Sequence, residues 1–295
     1  MPRTVLAALA ATFVVTVSLH AQNIDPVGRV HPNARPLAGI ESLAVAAIDR
    51  GAISTEDTQR RQNGQPARYA MPFPTEADIT SHGTWEQLDN TWSLWRLRIQ
   101  APNASHVNLG FDQFFMPANA RMMVYSSDYT TVVRPFDAGD HSPSGQLWTP
   151  VCWGEEIVTE VYVPTASKPQ VRLHLVHVGS GYRFFGAGPD ALGLDVSGAC
   201  NVDVACASAA PWVSEIPAIA AISSGGSIFC TGSMINNTAN NQRNYFLTAN
   251  HCGVTSGVAP SLVWMVSPST TRVTANGPAT PAGMGSRVSV GAAGF

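Results

Sequence analysis

Residues 244–254 read Asn-Tyr-Phe-Leu-Thr-Ala-Asn-His-Cys-Gly-Val, NYFLTANHCGV. The apolar run from Tyr245 to Leu247 has the composition of a strand, and it ends in Thr248-Ala249 just before His251 and Cys252. A histidine at a strand end with a cysteine directly after it fits a general base held in place by a disulfide. The plain alternative is a buried histidine beside an inert thiol. A second strand-like stretch, GSIFCTGSMINN, is centred on Cys230, 22 residues before Cys252. The decision between the two readings depends on what surrounds these stretches.

The chain has 295 residues, enough for one large domain or two ordinary ones. Only 13% of residues are charged and 45% are hydrophobic, with 25 Gly and 21 Pro, which suits a turn-rich β protein and excludes a coiled coil or a disordered chain. The net charge of −3 comes without a basic run, so nucleic acid is excluded as a partner. Lys168 is the single lysine.

The N-terminus, MPRTVLAALAATFVVTVSLHAQN, reads as a secretory signal over residues 1–21. Arg3 supplies the positive end, Val5 to Val17 the short apolar stretch, and Leu-His-Ala an imperfect cleavage site before Gln22. The expected location is extracellular or periplasmic, with no membrane contact once the signal is removed and with disulfides permitted. The five cysteines, Cys152, Cys200, Cys206, Cys230 and Cys252, leave at least one unpaired, and their spacing does not fit a zinc knuckle.

Residues 22–80 read as an irregular leader with a short helix near GIESLAVAAI. From 81 to 186 the pattern is one of strands. In SLWRLRIQ, Trp95, Leu97 and Ile99 alternate with Leu94, Arg96 and Arg98, and HVNLGF sets Val107, Leu109 and Phe111 on one face. Period-2 alternation with turns between the runs predicts a β-sandwich or jelly roll. His174 and His177, three apart on a strand, point to opposite faces and do not share a metal unless the strand bulges; no metal or other cofactor is expected. The tryptophans Trp85, Trp92, Trp95, Trp148 and Trp153 fit core packing better than a sugar-binding surface. A Gly- and Pro-rich junction at 187–197 leads into a second all-β unit over 198–295.

CTGSMINN followed by YFLTANHC resembles the first-barrel signature of chymotrypsin-like serine endopeptidases. Within these, SGACNVDVAC at 197–206 and the spacing of Cys200, Cys206, Cys230 and Cys252 resemble bacterial lysyl endopeptidases. The β-rich region from WEQL to GQLWTPV resembles their pro-region. The resemblance implies His251 as the general base and a Cys230–Cys252 disulfide clamping it. It leaves Cys200 and Cys206 without the partners they have in the family. It also implies protein or peptide substrates cut after Lys or another basic residue, and a pro-region acting on its own protease domain.

The chain departs from that pattern after the histidine. A triad in this clan runs His, Asp, Ser, yet Glu215 is the last acidic residue and no G-x-S-G loop follows. ISSGGS at 222–227 looks like such a loop but precedes His251. The tail from SLVWMVSP onward does not read as strands continuing the barrel, which implies a truncated gene or a lost reading frame. The expected product is an inactive precursor or fragment of a secreted serine endopeptidase. The alternative is a secreted β-sandwich binding or folding module with an inert protease remnant.

Overall fold

The computed structural model describes residues 25–183, 207–212, 214–235, 238–239 and 245–254, together with the backbone of 263–266. The signal segment 1–21, the junction 187–197, Cys200 and Cys206 lie outside the described residues.

The strands between residues 42 and 181 build two five-stranded sheets. The first contains β1 (Ser42–Ala44), β3 (Thr84–Gln87), β4 (Trp92–Gln100), β6 (Arg121–Ser126) and β9 (Glu156–Pro164), in the order β1-β4-β9-β6 with β3 beside β4. The second contains β2 (Ala70–Asp78), β5 (His106–Phe115), β7 (Leu147–Trp148), β8 (Cys152–Trp153) and β10 (Arg172–Gly181), in the order β2-β10-β5-β7 with β8 also on β5. Trp95, Leu97 and Ile99 of β4 meet Val107, Leu109 and Phe111 of β5 in one apolar core between the sheets. That is the packing of a sandwich, in which the inner faces interdigitate. The fold is all-β.

The leader differs from expectation. The sandwich takes two strands from it, β2 and the short β1, which runs parallel to β4 with Leu43 opposite Ile99. The helix expected near residues 39–48 lies further on, as α2 (Arg50–Gln62), after a single turn α1 (Val27–Val30). Asp49 starts α2 by accepting hydrogen bonds from the N–H groups of Gly51 and Ala52 at 2.9 and 3.0 Å, a cap for donors left unpaired at a helix start.

Residues 25–35 also cover the outer face of the first sheet, so β4 is buried on both sides. Leu94 packs with Val27 and Leu88, and Arg96 is fully buried. Arg96 donates through Nε and Nη2 to Glu86 at 2.9 and 2.7 Å, and through Nη2 to the Arg35 carbonyl. Glu160 of β9 accepts from the N–H groups of Val27 and Gly28 and from the Tyr125 hydroxyl. Burial pushes the Glu160 carboxyl above its ordinary range against the pull of these donors and of Arg96.

The tryptophans occupy separate packing positions. Trp95 is in the core with Trp85 against it, Trp92 stacks on Tyr162, Trp148 lies beside His177, and Trp153 meets the edge of His106. Lys168 lies between β9 and β10 in a 3-10 turn, Thr165–Gln170, with its ammonium over the Trp85 ring at 4.2 Å. Cys152 is buried and unbridged, its thiol pushed up to about 12 by burial and by the nearby Asp128 charge.

Strand β10 does bulge between Leu175 and His177. The two imidazoles nonetheless have different partners: His177 lies against Trp148, whereas His174 bonds Asp112 at 2.8 Å and Glu76 at 2.9 Å. Partial burial alone would lower the His174 pKa, but the Asp112 bond and the charges of Asp112, Glu76 and Asp78 raise it. A raised histidine stabilises the fold fully below its unfolded value of about 6.5, and that contribution is lost as pH rises through the folded pKa. Glu76 is largely exposed, so the gain is at most about 1 kcal/mol. Denaturant midpoints at pH 5.5 and 8.5 check this: His174→Gln is expected to narrow the difference between them.

The third sheet holds β11 (Ile219–Ser224), β12 (Ser227–Ile235), β13 (Tyr245–Thr248) and β14 (Val263–Val266), in the order β13-β12-β11-β14. β14 corrects the reading of the tail. Residues 263–266 do continue the sheet, antiparallel to β11 with Val266 opposite Ala220 and Val263 opposite Ser223. A four-residue apolar run is long enough for a strand even where alternation cannot be read.

Candidate active site

His251 sits just past the end of β13, in a 3-10 turn formed by Asn250–Cys252. The turn closes with the Cys252 N–H donating to the Ala249 carbonyl at 3.0 Å, and Gly253 follows in the left-handed region at φ 66°. Glycine reaches that region without the steric cost a side chain carries, so the chain reverses directly after the histidine-cysteine pair.

Two further links tie this turn to β12. Cys230 and Cys252 are joined by a disulfide, with Cα atoms 6.0 Å apart across 22 residues. The Thr248 hydroxyl donates to the Thr231 carbonyl at 2.7 Å and lies 3.3 Å from the Cys252 sulfur. The ladder between the strands pairs Gly232 with Thr248 and Met234 with Phe246. Gly232 has no room for a side chain, because the Phe246 ring and the Leu247 carbonyl occupy the space a Cβ would fill. Close strand approach, hydroxyl and disulfide together fix the backbone on both sides of His251.

The imidazole is exposed. One of its ring nitrogens and the sulfurs of Cys230 and Cys252 lie within 4.8 Å of one another. Both sulfurs are committed to the disulfide, so they are not thiolate ligands and the group does not make a Cys-His metal site. The arrangement suits proton transfer: a fixed, solvent-facing base at a strand end.

The ISSGGS stretch forms the end of β11 and the turn into β12. Ser223 is fully buried and shares a hydrogen bond with the Tyr69 hydroxyl at 3.2 Å. Two contributors escaped the sequence reading. Thr248 was visible only as a polar residue closing an apolar run, and nothing in the sequence marked Tyr69 as a partner of the third sheet.

Two family models match the chain in order. The lysyl endopeptidase N-terminal domain matches residues 43–178, and the lysyl endopeptidase C-terminal domain matches residues 194–293. Between them the two matches take in most of the chain and make it lysyl endopeptidase-like. A lysyl endopeptidase of Pseudomonas aeruginosa is 29% identical over 144 residues, a match that takes in 42% of this chain and 29% of that relative. The chain thus spans under a third of the relative's length. The C-terminal match runs to residue 293 and so includes the Gly-, Ala- and Ser-rich tail.

Proposed function

We propose that residues 198–295 form the histidine-bearing part of a serine endopeptidase in which His251 is the general base. The observation that carries this reading is the double tether, Cys230–Cys252 and Thr248–Thr231, which holds an exposed imidazole at the end of β13. A base so placed takes the proton of an attacking serine hydroxyl and returns it to the leaving amine, while a carboxylate orients the ring. The substrate class is protein or peptide, with Lys or another basic residue on the acyl side. Residues 22–186 serve as the pro-region, 187–197 as the junction where processing occurs, and 1–21 as the export signal of a protein acting in the periplasm or outside the cell. Among the described residues no helix is long and apolar enough to cross a membrane.

This 295-residue chain holds no Asp or Glu after Glu215, so it lacks the downstream acidic member that a His-Asp-Ser triad requires. Hydrolysis of a chromogenic lysyl peptide by this chain is expected to stay at background. Triads act as units, and one without its members keeps only residual catalysis. Turnover that vanishes on His251→Ala would show that a complete triad is present and overturn that expectation. Equal background in both proteins supports it.

A further inference from the structure

The third sheet does not stand apart from the sandwich. Residues 67–70, the lead into β2, bridge to the β11–β12 turn in the manner of strand pairing. The Tyr69 and Ala70 N–H groups donate to the Gly226 carbonyl at 2.7 and 3.2 Å, the Ile228 N–H donates to the Ala67 carbonyl at 2.8 Å, and Arg68 opposes Ser227. Tyr69 is buried and reaches the buried Ser223 hydroxyl. Ala67, Trp148, Ala221 and Ile228 close an apolar cluster around Tyr69 and Ala70.

The same segment is anchored on its other side. The Tyr182 and Arg183 N–H groups donate to the Tyr69 carbonyl at 2.9 and 3.3 Å. Buried Asp57 of α2 gathers Arg68 at 3.0 Å, Arg183 at 2.8 Å and the Tyr182 hydroxyl at 2.7 Å. An unpaired strand edge recruits another strand through its free backbone groups; here the recruited segment is rigidly presented.

We propose that the 67–70 segment is a docking surface whose partner is the turn at 223–228 of the chain's own protease part, and that the contact outlasts cleavage of the segment joining them. This rests on the reading of residues 198–295 as a protease part. The seam reaches the histidine through β12, which carries Cys230 and hence the disulfide to Cys252. Gly226 is its gauge. At φ +77°, a Cβ there would overlap the Ala70 carbonyl, whereas Gly225 at φ +54° has nothing within 4 Å. Alanine carries a similar backbone strain at either position, but only at 226 does it meet the sandwich.

The test is made on the full chain with a site-specific protease sequence substituted within residues 187–197, cut after folding and passed over a size-exclusion column. The two pieces are expected to co-elute for the parent and for Gly225→Ala. Gly226→Ala is expected to weaken their association at least tenfold. Tyr69→Phe, which leaves the turn unaltered, is expected to weaken it about fivefold by removing one buried hydrogen bond. Should Gly226→Ala fail to form the Cys230–Cys252 bridge, Tyr69→Phe decides. Separation of the parent pieces on cutting, or retention in both Gly226→Ala and Tyr69→Phe, overturns the proposal. The readout is association and not hydrolysis: a tight but inactive complex leaves the seam standing, and an active pair that separates removes it without touching the protease reading.

Discussion

Arg96→Met is expected to destabilise the sandwich by about 3–5 kcal/mol, the range found when one partner of a buried ion pair is removed. Arg96 is fully buried, and Glu86, also buried, accepts two of its hydrogen bonds. Removing the guanidinium strands that carboxylate, and it withdraws the positive charge favouring ionised Glu160, which burial already disfavours. The Arg35 carbonyl loses its donor as well, so residues 25–35 are expected to loosen from the outer face of β4. Denaturant unfolding of the full chain measures the loss, and limited proteolysis measures the loosening. Replacing both partners, Arg96→Met with Glu86→Leu, is expected to recover part of the stability, because the stranded Glu86 carboxylate is gone; the Arg35 N–H still loses its acceptor and Glu160 still lacks the Arg96 charge. A loss under about 1 kcal/mol in the single variant would place the pair in solvent and contradict the burial.

Cys252→Ala is expected to cost about 3 kcal/mol through the freed loop of 22 residues between Cys230 and Cys252. The loss is local, since the disulfide closes only the β12–β13 hairpin and the histidine turn. Amide exchange over residues 245–254 is expected to accelerate by about a hundredfold, that free energy expressed as a local opening constant. The sandwich, held by its own core, should keep its protection. Thr248→Val tests the second tether separately. It removes the bond to the Thr231 carbonyl and is expected to cost about 1 kcal/mol with the disulfide intact. Unchanged exchange in Cys252→Ala would mean that β13 pairing and the Thr248 bond position His251 without the disulfide.

The inner faces of the sandwich were legible in the chain. Trp95, Leu97 and Ile99, like Val107, Leu109 and Phe111, repeat at the two-residue period that a strand imposes, so one buried face follows from local pattern alone. The histidine motif was legible for a similar reason: an apolar run ending at His251-Cys252, with Cys230 in an earlier strand-like run, needs no distant residue to be recognised.

Tertiary structure decided the rest. Arg96 reads as the polar side of β4, yet residues 25–35 fold back over it, and the bond from Val27 to Glu160 spans 133 residues. Alternation reports only that one face is apolar; it does not tell whether the other meets water or a charged pair covered by a distant segment. The pairing of residues 263–266 with β11 was hidden because four residues are too few for a period to show. The bond between the Tyr69 and Ser223 hydroxyls, 154 residues apart, carries no local trace, because nothing beside either residue in sequence marks its partner, and the seam around it is made by backbone groups. Gly226 comes nearest to an exception: in the sequence it is an ordinary turn glycine, and only the Ala70 carbonyl packed against it explains why a side chain has no room there.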